Sequence, residues 1–282
     1  MTAPTRAGVA GGGTMGVGIV HRLLANDVEV VLVERDDTEA AAARERVAGS
    51  LTRAAQRGYL DADVDGLLAR LAVAGTPDAL ADVEVVVEAV PEVPGLKAEL
   101  LARIEGAVAD DTVIGSNTSS LSIDGLAGGL RRPERFCGMH FFNPVPASDL
   151  LELIRGADTG ADAMRTAAEL GERLGLTTIE VGDAPGFATS RLGVALGLEA
   201  IRMVEDGVAS AEDIDTALRL GYKHPVGPLR LTDLVGLDVR LGIAEYLAAE
   251  LGPRFEPPAL LRQMVADGRL GKKSGQGFFP WE

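Results

Sequence analysis

The segment Gly11-Gly12-Gly13-Thr14-Met15-Gly16 constrains this chain more than any other stretch. Gly11, Gly13 and Gly16 fit the pattern G-x-G-x-x-G. Alone, that pattern describes any glycine-rich loop; its context narrows it. The short β-type run Ala7-Gly8-Val9-Ala10 precedes it, and Met15, Ile19, Leu23 and Leu24 then recur at helical spacing. A second β-type run, Val28 to Glu34, ends in an acid 21 residues after Gly13. Strand, glycine turn, helix, strand and acid in that order form the fingerprint of a dinucleotide site. Missing Cβ atoms let the backbone approach a pyrophosphate, and a helix N-terminus offers N–H groups and a positive dipole end. On this reading Gly11, Gly13, Thr14, Met15 and Gly16 hold the phosphates, and Glu34 accepts hydrogen bonds from ribose hydroxyls. A 2′-phosphate would meet like charge at Glu34, so NAD is favoured over NADP. The neighbouring Arg35 leaves open a place that could receive such a phosphate.

The alternation continues. Leu71 to Ala74, Val83 to Ala89, Thr112 to Gly115, Arg135 to His140 and Thr177 to Val181 read as further strands, the last two closing the series. Helical patterns lie between them, notably Asp37 to Arg57 and Leu96 to Val108. Strands alternating with helices imply crossover connections and a largely parallel sheet. Near Ala184-Pro185-Gly186 the pattern changes to helices alone, at about 187–206, 211–220, 228–251 and 258–267. The expected fold is therefore α/β: a Rossmann-type, mostly parallel sheet domain over 1–184, then an all-α domain over 185–282.

Composition bounds the function. Lys and Arg number 27 against 42 Asp and Glu, a formal charge of −15, so no general attraction to nucleic acid or anionic membrane is expected. Apolar stretches are too short to span a bilayer, which needs ~20 residues. The single cysteine, Cys137, excludes an internal disulfide and favours a reducing compartment, here read as the cytoplasm. No spacing of His, Cys and carboxylates suggests a metal site.

In open α/β sheets ligands sit at the carboxyl ends of strands. Three polar clusters fall there: Glu88 to Glu92 with Lys97 downstream, Ser116 to Ser120, and His140-Phe141-Phe142-Asn143-Pro144. Of three histidines, His21 reads as a surface residue on the first helix and His224 as a loop residue before Pro225. His140 reads either as a satisfied core residue or as a general base beside a hydride acceptor. Imidazole suits the second task because its pKa lies near working pH. Such a base needs an orienting carboxylate. Glu152, inside the apolar Leu150-Leu151-Glu152-Leu153-Ile154, would be costly to bury unpaired; Asp149 competes from a loop-like stretch.

These residues carry a resemblance over nearly the whole chain. Gly11 to Gly16, Ser116 to Ile123 and Gly138 to Pro144 match it, as do Ala184 to Phe187, His224 to Pro228 and Gly271 to Phe278. The sequence resembles the 3-hydroxyacyl-CoA dehydrogenase family, especially its short bacterial 3-hydroxybutyryl-CoA dehydrogenases. The resemblance implies NAD-linked interconversion of 3-hydroxyacyl and 3-ketoacyl thioesters, and a homodimer formed by the helical domain. It implies that His140 is the base and Glu152 its partner, with Ser119 and Asn143 near the reacting carbon. It places Glu92, Lys97 and Asn117 along the nicotinamide half of NAD, and Ser50 and Arg57 where CoA binds. One position departs from the family pattern: Ser190 stands where an asparagine usually bonds the substrate's 3-oxygen. Serine has a shorter reach and one donor where the amide has two. That departure keeps an acyl-carrier-protein thioester in view as an alternative to CoA.

Overall fold

The computed structural model describes residues 3–282, which divide into two compact units that meet in sequence between Asp183 and Ala184. In the first unit, strands β1 (Arg6–Ala10), β2 (Glu29–Val33), β3 (Leu71–Ala74), β4 (Val85–Glu88) and β5 (Val113–Ser116) are joined by β6 (Phe136–Phe141), β7 (Leu150–Arg155) and β8 (Thr177–Gly182). Six helices connect them: α1 (Thr14–Ala25), α2 (Asp37–Gln56), α3 (Val64–Leu68), α4 (Pro94–Ala107), α5 (Ile123–Ala127) and α6 (Ala161–Arg173).

The strands form one sheet in the order β3-β2-β1-β4-β5-β6-β7-β8. All pairings are parallel except β6 with β7. This is the mostly parallel, doubly wound arrangement that the alternating pattern predicts. Successive residues Val85, Val86 and Val87 are all buried, as expected where helices cover both faces of a sheet. Strand order reverses between β1 and β4, and their ends stand level, with Ala10 paired to Glu88. Continuing across the sheet, Glu88 pairs with Ser116 and Ser116 with Gly138. His140 thus lies two residues beyond that level, at the same carboxyl edge as the glycine turn.

Strand β7 is the one the sequence does not announce, because Leu150 to Ile154 shows no turn residues at tight spacing and follows a proline-containing loop. It runs back along β6 and sets Glu152 directly opposite His140. Side chains opposite each other on one face of an antiparallel pair stand ~5 Å apart at Cβ, within reach of one hydrogen bond.

The second unit holds α7 (Thr189–Glu205), α8 (Ala211–Gly221), α9 (Pro228–Val235), α10 (Leu237–Leu251) and α11 (Ala259–Ala266), with isolated bridges among Gly271, Gln276 and Pro280. Its core gathers Val194, Leu198, Ile201, Leu229, Leu247 and Leu261. The helix expected to run unbroken over 228–251 is two helices. Gly236, at φ 105°, breaks it, a conformation that glycine alone adopts without strain.

Candidate active site

The glycine turn lies between β1 and α1. Gly11 has φ 104°, and a Cβ on it would stand 2.9 Å from the Ala89 carbonyl oxygen. A Cβ on Gly16 would stand 1.7 Å from the Gly11 carbonyl oxygen, so this glycine lets helix and turn close on each other. Gly13 is different. It caps α1, and a Cβ there would meet nothing within 4 Å. No side chain caps this helix, so its first N–H groups have no capping side chain as a partner. A cavity of about 830 Å³ opens in front of the turn, lined by Gly11, Gly13, Thr14, Met15 and Glu34 among others. Its size suits a dinucleotide, and the uncapped N-terminus of α1 suits a pyrophosphate.

Glu34 lines that cavity. Its Oε1 accepts from the Gly12 N–H at 2.7 Å, and Arg46 Nη2 lies 3.9 Å away. The Arg35 guanidinium pairs with Asp36 at 3.4 Å and Glu39 at 3.1 Å. Those acids compete with any phosphate that Arg35 could receive.

At the ends of β4 and β5 a second network forms. Lys97 is 1% exposed, and its Nζ donates to Glu88 Oε1 at 2.7 Å and to the Val90 carbonyl at 3.1 Å. Glu92 Oε2 is 3.3 Å from the same ammonium. The other Glu88 oxygen accepts from Ser116 Oγ at 2.6 Å. Glu92 in turn accepts from Thr118 Oγ1 at 2.5 Å and from the Ser119 N–H at 2.9 Å. Burial opposes ionisation of Glu92, but the Thr118 hydroxyl, the Lys97 charge and the Ser119 N–H outweigh it and lower its pKa. The three Nζ donors of Lys97 are therefore engaged by the protein. The resemblance places Lys97 along the nicotinamide half of NAD; in the structure its ammonium supports, through Glu92, the loop that carries Ser119. Removing one partner of a buried pair leaves the other charge stranded. Lys97→Met is expected to lower stability by about 3–5 kcal/mol in urea titration, and a loss under about 1 kcal/mol would refute this account.

Asn117 and Ser119 leave the end of β5. Asn117 Oδ1 accepts from the Phe141 N–H at 2.8 Å, which ties the β5 loop to the end of β6. Asn143 is exposed just past β6, before a cis bond to Pro144. His140 is buried at the end of β6, its ring 4.4 Å from that of Phe142. Its Nδ1 lies 2.8 Å from Glu152 Oε2, and Glu152 is fully buried. Asp149, the competing acid, is exposed in the loop before β7.

His21 is a correction. It was expected at the surface, but it is 4% exposed, and its Nδ1 lies 2.8 Å from Ser50 Oγ. The cause is that α1 packs against α2 on the face carrying His21. Burial, with the charge of Arg22, lowers its pKa and so favours the neutral ring. Ser50 is thus partly engaged by the protein. Arg57 caps the C-terminus of α2, exposed, seven residues on and so nearly in line with Ser50. His224 is an exposed loop residue. Ser190 lies in the first turn of α7, in the second unit.

Two residues of this edge had no role in the sequence reading: Glu88 stood only within a polar cluster, and Arg46 was not singled out. Glu88 closes the valine run of β4, a visible signal, because an acid ending a fully buried strand needs a partner. Arg46 has no comparable signal; it is one arginine among several on α2.

The doubly wound sheet, the glycine turn and the acid at the end of β2 define an NAD-binding oxidoreductase of the Rossmann type. Family models agree. The 3-hydroxyacyl-CoA dehydrogenase NAD binding domain matches residues 6–184, and the C-terminal domain of the same family matches residues 186–281. The chain belongs to the 3-hydroxyacyl-CoA dehydrogenase family. It is 42% identical to a 3-hydroxybutyryl-CoA dehydrogenase of Mycobacterium tuberculosis, covering 98% of both chains. It is 38% identical to a probable 3-hydroxybutyryl-CoA dehydrogenase of Bacillus subtilis, covering 97% of this chain and 96% of that one. Among solved structures, (S)-3-hydroxybutyryl-CoA dehydrogenase PaaH1 from Ralstonia eutropha superposes with a TM-score of 0.93 at 39% identity, covering 99% of this chain and 100% of that one.

Proposed function

We propose that this protein interconverts short-chain 3-hydroxyacyl-CoA, of the 3-hydroxybutyryl-CoA kind, and 3-ketoacyl-CoA with NAD. The observation that carries the reading is the His140–Glu152 pair at 2.8 Å, at the carboxyl edge that also holds the glycine turn. An ionised carboxylate only accepts, so the proton between the two belongs to Nδ1. The basic lone pair of the ring is then on Nε2. Oxidation of the alcohol requires loss of a proton from O3 and of a hydride from C3. His140 Nε2 takes the proton, and Glu152 stabilises the imidazolium that results. NAD, when bound, supplies the acceptor for the hydride. In the reverse direction the imidazolium returns the proton to O3.

Ser119, Asn143 and Ser190 are the polar groups assigned to the substrate, with Ser190 donating to O3 in place of the usual amide. Asn117 and Glu92, braced by Lys97, shape the nicotinamide side of the site. Gly11, Gly13, Thr14, Met15, Gly16 and Glu34 hold the dinucleotide. Ser50 and Arg57 are assigned to CoA, Arg57 as a cation for phosphate.

The helical unit exposes Leu192, Leu196, Leu231, Leu234 and Val239. These apolar side chains support a homodimer through α7, α9 and α10; sedimentation at micromolar concentration reads it directly. Among the described residues no helix is long and apolar enough to cross a membrane. Cys137 is buried and unpaired, its thiol pushed up to about 12 by burial, which supports a cytoplasmic setting.

The test is NADH oxidation with acetoacetyl-CoA, run beside NADPH and beside the acetoacetyl group on an acyl carrier protein. Turnover with NADH and the CoA thioester is expected, at least about tenfold above either alternative. No turnover of acetoacetyl-CoA with NADH would overturn the assignment, and faster turnover of the carrier-bound group would replace CoA with the carrier protein.

A further inference from the structure

Arg46 lines the dinucleotide cavity, and the proposed function gives it no task. Its Nε donates to the Gly12 carbonyl oxygen at 2.9 Å, reaching across from the middle of α2. Its Nη2 lies 3.9 Å from Glu34 Oε1 and 3.9 Å from Glu39 Oε2, too far for a hydrogen bond to either. The directed contact of this side chain is the one to the glycine turn.

The turn has a physical need for it. Gly12 and Gly13 both lack a Cβ, so the peptide group between them meets little steric resistance to flipping over. In a planar trans peptide the carbonyl of one residue and the N–H of the next point opposite ways. A hydrogen bond that fixes the Gly12 carbonyl therefore fixes the direction of the Gly13 N–H. Gly12 is buried, with α2 so close that a Cβ on it would stand 2.4 Å from the Ala43 Cβ. Ala43 and Arg46 lie three residues apart on α2 and are neighbours on its surface. Gly13, by contrast, is exposed and lines the cavity. The two preceding peptide groups are held as well: the Gly11 N–H donates to the Val33 carbonyl at 2.9 Å, and the Gly12 N–H to Glu34 Oε1 at 2.7 Å. Three successive peptide groups of the turn are thus fixed, and Arg46 fixes the last.

We propose that Arg46 is a positioning residue for the coenzyme: by holding the Gly12 carbonyl it presets the Gly13 N–H to donate to the pyrophosphate. The flipped peptide would present a carbonyl oxygen to the phosphates, and its partial negative charge would repel them. With the flip suppressed before binding, the coenzyme does not have to order the turn, and that saving appears as affinity. This inference rests on the reading that the glycine turn holds the dinucleotide.

The experiment uses two replacements that differ by one donor. Glutamine carries Nε2 at the same place along its side chain as arginine carries Nε, so Arg46→Gln keeps the donor and loses the charge. Methionine has a similar length and neither donor nor charge. NADH affinity is read by fluorescence titration. Arg46→Met is expected to weaken it about tenfold, and Arg46→Gln to stay within about threefold of the parent. The kcat for acetoacetyl-CoA at saturating NADH is expected to stay within about twofold in both, because the proton is moved at His140 and not at the turn. In competition with NADH, ADP-ribose, which keeps the pyrophosphate, is expected to weaken as NADH does. Adenosine, which has the ribose and no phosphate, is expected to bind Arg46→Met as it binds the parent. Equal losses in Arg46→Gln and Arg46→Met overturn the proposal, since charge would then be the cause. An Arg46→Met protein that holds NADH as tightly as the parent overturns it too, as does one that loses adenosine and NADH alike. Gly13→Ala, titrated beside them, separates this inference from the reading beneath it. A loss in Gly13→Ala with none in Arg46→Met overturns the role of Arg46 and leaves the turn as the pyrophosphate site, whereas no loss in Gly13→Ala removes the turn itself.

Discussion

Replacing His140 by glutamine is expected to lower kcat for acetoacetyl-CoA reduction by about 10³-fold, while NADH binding by fluorescence titration stays within about twofold. Glutamine fills a similar volume and can still donate to Glu152, so the buried carboxylate keeps a partner and the fold survives. What it lacks is a group that changes protonation state between pH 5 and 8. Glu152→Gln attacks the same step from behind. Its amide no longer requires Nδ1 to carry the proton, and it cannot stabilise an imidazolium; a loss of about 10²-fold or more is expected. The double variant is expected to be about as slow as His140→Gln alone, because residues acting as one unit do not add. A His140→Gln enzyme within tenfold of the parent would remove the imidazole from the chemistry and leave the 2.8 Å pair as core packing.

The two halves of that pair were unequally legible in the sequence. His140 is visible because it ends an apolar run and precedes a polar cluster, where ligands of parallel sheets sit. Glu152 is visible only as an acid in apolar surroundings. What joins them is the antiparallel register of β7 on β6, which is a tertiary fact. The sequence alternation predicts parallel crossovers, and no local residue signals that the chain turns back after Pro144-Val145-Pro146. The glycine turn is legible because its order between strand and helix is local, and at Gly11 and Gly16 the structure shows a steric reason for glycine. Lys97 is placed along the nicotinamide half of NAD by the resemblance alone, which says nothing of how its ammonium is held. The structure buries it against Glu88, a preference for ion pairing over exposure that no spacing rule encodes. His21 was misplaced for a related reason. A polar side chain next to Arg22 reads as solvent-facing until a neighbouring helix supplies Ser50.

The glycine turn makes the second large prediction, because its glycines do different work. Gly13→Ala is expected to fold with unchanged stability: the residue has φ −71° and a Cβ would enter open space. That space lies directly before the N-terminus of α1, where the pyrophosphate is proposed to sit. One methyl group there holds the phosphates off the N–H groups, and NADH affinity is expected to fall about 100-fold. Gly16→Ala is expected to lose affinity and stability together. Its Cβ would overlap the Gly11 carbonyl oxygen at 1.7 Å, so backbone must move and the turn must open, at a cost of about 3 kcal/mol or more. Calorimetry with NADH and urea titration on both variants separate the two effects. If Gly13→Ala bound NADH as tightly as the parent, the open space before α1 would not be the pyrophosphate site. The phosphates would then have to enter the cavity from the side of Glu34, where a carboxylate repels them.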